Sequence, residues 1–175
     1  EHRNHNPGVR GSSPCAATTN MMNLEKNSFL SNLALRVFLR FKLPMIGYCS
    51  PKILTSNASE VDVLIPIKRK TKNHLKSMYF GALCVGADFS GGLLTLNIIN
   101  KHKSKAKLIF KDFQASFLKR ALSDIRFTCS DHKTIEKGVL ENLSKGTRVN
   151  FKIRVNAIDN SGEKVAVFDL TTSIK

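Results

Sequence analysis

The sequence predicts an α+β fold in which a curved antiparallel sheet wraps around one long apolar helix, with a further helix before it. Three observations carry that expectation. Residues 77–100 run for more than twenty positions with no proline and one acid. Residues 149–157 alternate strictly between apolar and polar side chains. The remainder of the second half also reads as strands, and a buried helix beside a half-apolar sheet leaves the sheet to curl round it.

The chain has 175 residues, of which 42% are hydrophobic and 23% charged, enough for one packed domain. Lys and Arg outnumber Asp and Glu by 28 to 13, a net charge of +15, which bears on partners and solubility and not on fold. Anionic partners in keeping with this charge are nucleic acid, an anionic membrane surface or a phosphate-bearing small molecule such as coenzyme A. Cys15, Cys49, Cys84 and Cys129 lie far apart, with no paired spacing and no His cluster, which argues against a zinc site. Apolar surroundings at Cys84 and Cys129 suit free buried thiols in a reducing cytoplasm. No stretch reaches the roughly 18 uninterrupted apolar residues of a membrane span.

Residues 1–20, rich in Gly, Pro, Ser, Asn and Thr, read as a disordered tail or translated leader, with Met21 or Met22 as a natural start and His2 and His5 outside any site. Residues 21–175 read as a single domain. From Leu24 the spacing becomes helical. Leu30, Leu33, Ala34, Val37, Phe38 and Phe41 form a stripe for docking on the core, capped at Asn27 or Ser28 and stopped by Pro44 and Gly47. A basic amphipathic helix on a membrane surface is the other reading of that stripe, and docking is preferred because the stripe is narrow.

Lys52–Asn57 is a short strand. Val61, Val63, Ile65 and Ile67 alternate with Asp62, Leu64 and Pro66, and Pro66 places its own amide position at an edge or bulge. The apolar stretch from Ser77 is too long for a strand, and Gly81, Gly86, Gly91 and Gly92 within it point to close approach by other backbone. Residues 106–118 form a strand with Phe113, Ala115 and Phe117 on one face. Ile125, Phe127 and Cys129 mark another, and 132–143 a turn of helix. The pair 149–157 and 166–174 is joined by a hairpin at "DNSG", 159–162.

This order resembles a hotdog-fold protein, over residues 24–175. Hotdog thioesterases of the phenylacetyl-CoA type carry an Asn, then a His-Gly-Gly at the start of the central helix, then an acid. In this chain Asn73 stands six residues before Tyr79, Gly81 takes the second Gly, and Asp88 stands nine after Tyr79, whereas Tyr79 and Phe80 replace His and Gly. The segment "NHLKSMYFGAL", followed by an acid and a Gly, is most similar to a branch of that superfamily described as thioesterases.

The resemblance implies hydrolysis of an acyl-CoA or acyl-carrier thioester. Asp88 is then the general base or nucleophile, the Gly81 amide polarises the carbonyl, and Asn73 orients water or caps the approach to the helix. His74 is a further acid–base candidate, and Tyr79 is read as packing. Ser77 and Ser90 lack a partner His that would make either a nucleophile. Lys68, Arg69, Lys70, Lys72 and Lys76 before the helix suit the phosphates of coenzyme A, and Lys101, Lys103, Lys105 and Lys107 crowd its far end. No cofactor is implied beyond coenzyme A as part of the substrate, and no metal. The resemblance also implies self-association as a homodimer or tetramer. Two other readings remain: a hotdog module that binds acyl chains without turnover, and a basic protein binding nucleic acid or anionic lipid. Against nucleic acid, aromatics are not interleaved with the basic runs.

Overall fold

A computed structural model describes residues 37–175. Expectations for the tail 1–20 and for helix positions 24–36 lie outside these residues. The elements, in chain order, are α1 (Pro44–Cys49), β1 (Lys52–Ser56), β2 (Val61–Ile65), a 3-10 turn (Arg69–Thr71), α2 (Phe80–Lys101), β3 (Leu108–Phe117), β4 (Ile125–Cys129), α3 (His132–Lys145), β5 (Val149–Ile158) and β6 (Lys164–Ile174). The strands form one antiparallel sheet in the order β1-β2-β4-β5-β6-β3.

α2 lies against this sheet. Leu94, Ile98, Ala87 and Leu83 on the helix are buried with Val61, Val63, Ile65, Phe127, Val155, Phe168 and Leu170 from the strands. Each fully buried Leu, Ile or Phe contributes about 1.5–3 kcal/mol through removal of apolar surface from water, so the helix–sheet contact stabilises the fold. By length and composition α2 is apolar enough to cross a bilayer, yet 67% of that stretch is buried inside the protein.

The β5–β6 hairpin turns where the sequence places it. The Asp159 carboxylate accepts from the Ser161 and Glu163 amides at 2.9 and 3.0 Å, and Gly162 supplies the positive φ of 85°. Four expectations need correction. Pro66 is buried and lies one residue beyond β2, which is flanked by β1 and β4, so its missing N–H interrupts no ladder and marks no edge. Residues 132–143 are part of a 14-residue helix, whose Ile135, Gly138, Val139 and Asn142 are buried. That stripe is short of large apolar groups because Gly138 leaves room for the Phe151 ring. The helical run 37–42 stops at Leu43, ahead of Pro44 as expected, but Pro44 at once begins α1, so Gly47 is not part of the stop. Gly47 lies inside α1, where a Cβ would stand 3.1 Å from the Leu39 backbone, so the two short helices fold tightly on each other.

The fourth correction concerns the docked face. Leu39 is the buried residue and Phe38 is half-buried, whereas Val37 and Phe41 face outward. The core-facing side is set by the fold-back at Leu43, which the spacing does not reveal.

Candidate functional site

The segment before α2 is a loop held by its own polar side chains. The Thr71 hydroxyl is buried, donates to the Pro66 carbonyl at 2.8 Å and accepts from the Lys68 amide at 2.8 Å. The Asn73 side-chain oxygen accepts from the Leu75 amide at 2.9 Å and the Ser77 amide at 3.2 Å, and its NH2 group donates to the Ser77 hydroxyl at 3.0 Å. Tyr79 N–H donates to the Thr71 carbonyl and Met78 N–H to the Ala121 carbonyl, each at 2.8 Å. These bonds fix where α2 begins. Thr71 escaped the sequence reading, although its one signal was visible: a neutral hydroxyl inside the basic run "KRKTK".

At the start of α2, the Ala82 and Leu83 amides both bond back to the Tyr79 carbonyl, while the Phe80 and Gly81 amides take no backbone partner among the described residues. Two donors are therefore left at the positive end of a 22-residue helix, where negative charge is stabilised. The Tyr79 ring occupies the space beside Gly81: a Cβ there would stand 2.5 Å from Tyr79 Cε1. The close contact at Gly81 is thus with a side chain, and an exposed one. Close approach at 86 and 91 likewise comes from the Phe127 ring and the Ile153 side chain, and Gly92 meets only ordinary contact, so the expected approach of other backbone is corrected at all four glycines.

Cys84 and Val85 stand three and four residues after Gly81 and four and three before Asp88, and all four are only half-buried, whereas Ala82, Leu83, Gly86 and Ala87 between them are buried. They form one stripe on the helix, and Asp88 lies about 10 Å along it from Gly81 at 1.5 Å per residue. The Asp88 carboxylate has no hydrogen-bond or ionic partner among the described residues, and burial pushes its pKa up to about 6. Cys84, one turn before it, has its thiol pKa raised by the same cause.

Aromatic side chains flank the helix start. Tyr79 and Phe80 are in contact at 4.7 Å between ring centroids, Phe80 meets Phe117 of β3 edge-on at 6.5 Å, and Phe117 meets Phe168 at 6.0 Å. His74 is exposed in the loop. Lys68, Arg69, Lys70, Lys72 and Lys76 are all exposed, and Lys72 pairs with Met78 in an isolated bridge that draws the basic run up to the helix start. Lys70 points to α1, with its ammonium 2.7 Å from the Ser50 hydroxyl and over the Tyr48 ring. At the far end of α2, Lys101 and His102 both contact Glu136 at 2.8 Å, which holds that carboxyl below its ordinary range.

The structure therefore gathers Asn73, Gly81 and the basic residues at one end of α2 and sets Asp88 further along it. Ser77 is bound to Asn73, and Ser90, fully buried, donates to the Phe127 carbonyl at 3.0 Å. Asp62, one of the residues alternating with the apolar positions of β2, is buried beneath the Arg126 guanidinium of the neighbouring β4. No three His, Cys, Asp or Glu side chains group together as metal ligands among the described residues.

The profile of a family described as a domain of unknown function, DUF4442, matches residues 31–174. A comparison with curated proteins finds no match. Among solved structures, the chain is similar to a Pseudomonas aeruginosa protein of unknown function described as a probable thioesterase. The two share 23% identity at a TM-score of 0.70, over 82% of this chain and 95% of that one. A variant of a Staphylococcus aureus thioesterase is similar at 13% identity and a TM-score of 0.59, over 75% and 98% of the two chains. A variant of a second Pseudomonas aeruginosa thioesterase follows at 9% identity and 0.61, over 81% and 91%. At these identities the likeness establishes the fold.

Proposed function

We propose, of a chain that belongs to the DUF4442 family and has the hotdog fold, that it hydrolyses acyl thioesters, with coenzyme A as the thiol carrier. The observation that carries this reading is Asp88: an acid without a partner in its own chain, with its pKa near 6, on the helix stripe that begins at Gly81. A carboxyl with that pKa is mostly ionised at neutral pH and is still basic enough to take a proton from water.

Water activated by Asp88 adds to the thioester carbonyl. Negative charge develops on the carbonyl oxygen and is met by the Gly81 amide at the helix start. The carbon–sulfur bond then breaks, and the proton held by Asp88 passes to the departing thiolate, leaving a carboxylic acid and a free thiol. Asn73 supports this site by shaping the loop, since both ends of its amide are taken up by Leu75 and Ser77. His74 remains a minor acid–base candidate. Lys68, Arg69, Lys70, Lys72 and Lys76 supply cationic contacts for the phosphates of coenzyme A, and the rings of Phe80 and Phe117 an apolar wall for the acyl group. Hotdog relatives commonly draw the acid and the amide from different subunits, and a homodimer accommodates this. Unpaired thiols at Cys49, Cys84 and Cys129 suit a cytoplasmic location.

Asp88→Asn keeps the shape and removes the base, so turnover of a panel of acyl-CoA esters should fall by about 100-fold or more. Asn73→Ala should lower it less, and His74→Ala less again. Wild-type rates in Asp88→Asn would reject the mechanism. Tyr79 and Phe80 in place of His-Gly favour a second reading, an acyl-CoA binding module. It predicts calorimetric binding of acyl-CoA by the wild type with no release of free thiol.

A further inference from the structure

Val37, Phe41, Met45 and Tyr48 are 53%, 76%, 68% and 56% exposed among the described residues. They lie within twelve positions, on two short helices whose inward residues, Leu39, Ile46 and Cys49, are in the core. The exposed four therefore occupy the outward side of a corner whose inward side is already satisfied. A protein surface does not ordinarily present four large apolar side chains so close together without a use for them.

The charge around this corner names the partner. Residues 37–76 contain eight Lys or Arg and two acids, Glu60 and Asp62. Asp62 is buried beneath Arg126, so it offers no negative charge to the surface. Lys70 connects the two parts of the surface directly: its ammonium stands 5.1 Å from the centre of the Tyr48 ring and hydrogen-bonds the Ser50 hydroxyl at the end of α1. The basic run before α2 is thereby placed beside the apolar corner. Arg40 and Lys42, both exposed, extend the cationic surface on the corner itself.

We propose that this corner docks on an anionic lipid bilayer, with Phe41, Met45 and Tyr48 entering the headgroup region and the surrounding cations facing lipid phosphates. Apolar side chains ringed by Lys and Arg are what an interfacial anchor requires. The apolar part is too small to hold alone, and the basic part supplies attraction that depends on surface charge and salt. Nucleic acid is the less suited polyanion, since it rewards the cations and leaves Phe41 and Met45 without a contact. Phe41, Met45, Tyr48, Arg40 and Lys42 lie outside the Gly81–Asp88 stripe and the basic run assigned to coenzyme A, so substituting them tests docking without touching the residues assigned to hydrolysis.

The test is co-sedimentation of the full chain with vesicles of phosphatidylcholine alone and of phosphatidylcholine mixed with phosphatidylserine. The wild type should pellet with the mixed vesicles and not with the neutral ones, and about 0.5 M salt should release it. The triple variant Phe41→Ser, Met45→Ser, Tyr48→Ser should bind mixed vesicles about tenfold more weakly while keeping the melting temperature of the wild type. Arg40→Glu with Lys42→Glu, which leaves the apolar side chains in place, should weaken binding comparably and keeps the test independent of the first variant's folding. Absence of wild-type binding to mixed vesicles would overturn the proposal, as would full binding by the triple variant. So would dissociation of a wild-type oligomer by the triple variant, which would make the corner a contact between copies. Binding of a single-stranded oligonucleotide that equals vesicle binding and ignores the triple substitution would reassign the surface to nucleic acid.

Discussion

Asp88 is destabilising in the charged form, and this separates a working base from a structural acid. Its pKa rises from 3.8 to about 6 because burial disfavours the carboxylate. Between those two values the folded chain binds more protons at Asp88 than the unfolded chain does. Stability from this group is therefore full below pH about 4 and is lost as pH rises towards 6, a difference of roughly 3 kcal/mol at most. Asp88→Asn should remove that loss, raising the urea midpoint at pH 8 by an amount equivalent to about 1–3 kcal/mol while lowering turnover by about 100-fold or more. A fall in stability at pH 8 would instead mean that the carboxylate is tied to a partner in the assembled protein. The rate itself should climb with an apparent pKa near 6, because only the ionised form accepts a proton.

At the scale of elements, α2 sits where it does because particular glycines admit particular side chains. At Gly86 a Cβ would lie 2.4 Å from the Phe127 ring, which is fully buried on β4 and has nowhere to move. Gly86→Ala should cost about 1–3 kcal/mol by overpacking. Gly92, on the same helix, would place its Cβ 3.6 Å from Phe110, an ordinary contact. Gly92→Ala should therefore be neutral or stabilising by up to about 1 kcal/mol, since Ala is the better helix former. Urea denaturation of the two variants side by side checks this, and equal effects would refute the packing account. The loop before α2 shows a complementary logic, in which Asn73 and Ser77 bond each other and Thr71 bonds the backbone at Pro66 and Lys68, so hydrogen bonds hold the approach to the helix.

At the scale of the whole molecule, β3 is an edge of the sheet among the described residues. There it pairs with β6 alone, over nearly its full length, and Phe113 and Phe117 on it are exposed. An unpaired, partly apolar edge of ten residues favours a second strand. The protein should sediment as a dimer or larger at concentrations on the order of tens of micromolar, with the two sheets side by side along β3. Phe113→Lys should shift it towards monomer. A wild-type monomer under those conditions would refute the arrangement, and it would also leave Asp88 and Gly81 to act within one chain.

Local pattern was enough for several of these features. The unbroken apolar run after Ser77 is a helix because no strand is that long, and 149–157 is a strand because alternation of period two has no other use. The Asp159–Gly162 turn follows from its residue types, and the spacing of Asn73, Gly81 and Asp88 points to the fold later found among structural relatives. What tertiary structure decided has one physical cause: burial and hydrogen-bond partners come from residues distant in sequence. The helical spacing around Val37 and Phe41 marks a stripe but not which side meets the core, and the fold-back of Pro44–Cys49 turned Leu39 inward and Phe41 outward. Asn73 could be placed before the helix by counting, but only the loop shows its amide engaged by Leu75 and Ser77. The carboxylate at 88 is visible in the sequence as an interruption. Its pKa near 6 arises only because the fold surrounds that carboxylate with apolar groups and gives it no partner within the described chain.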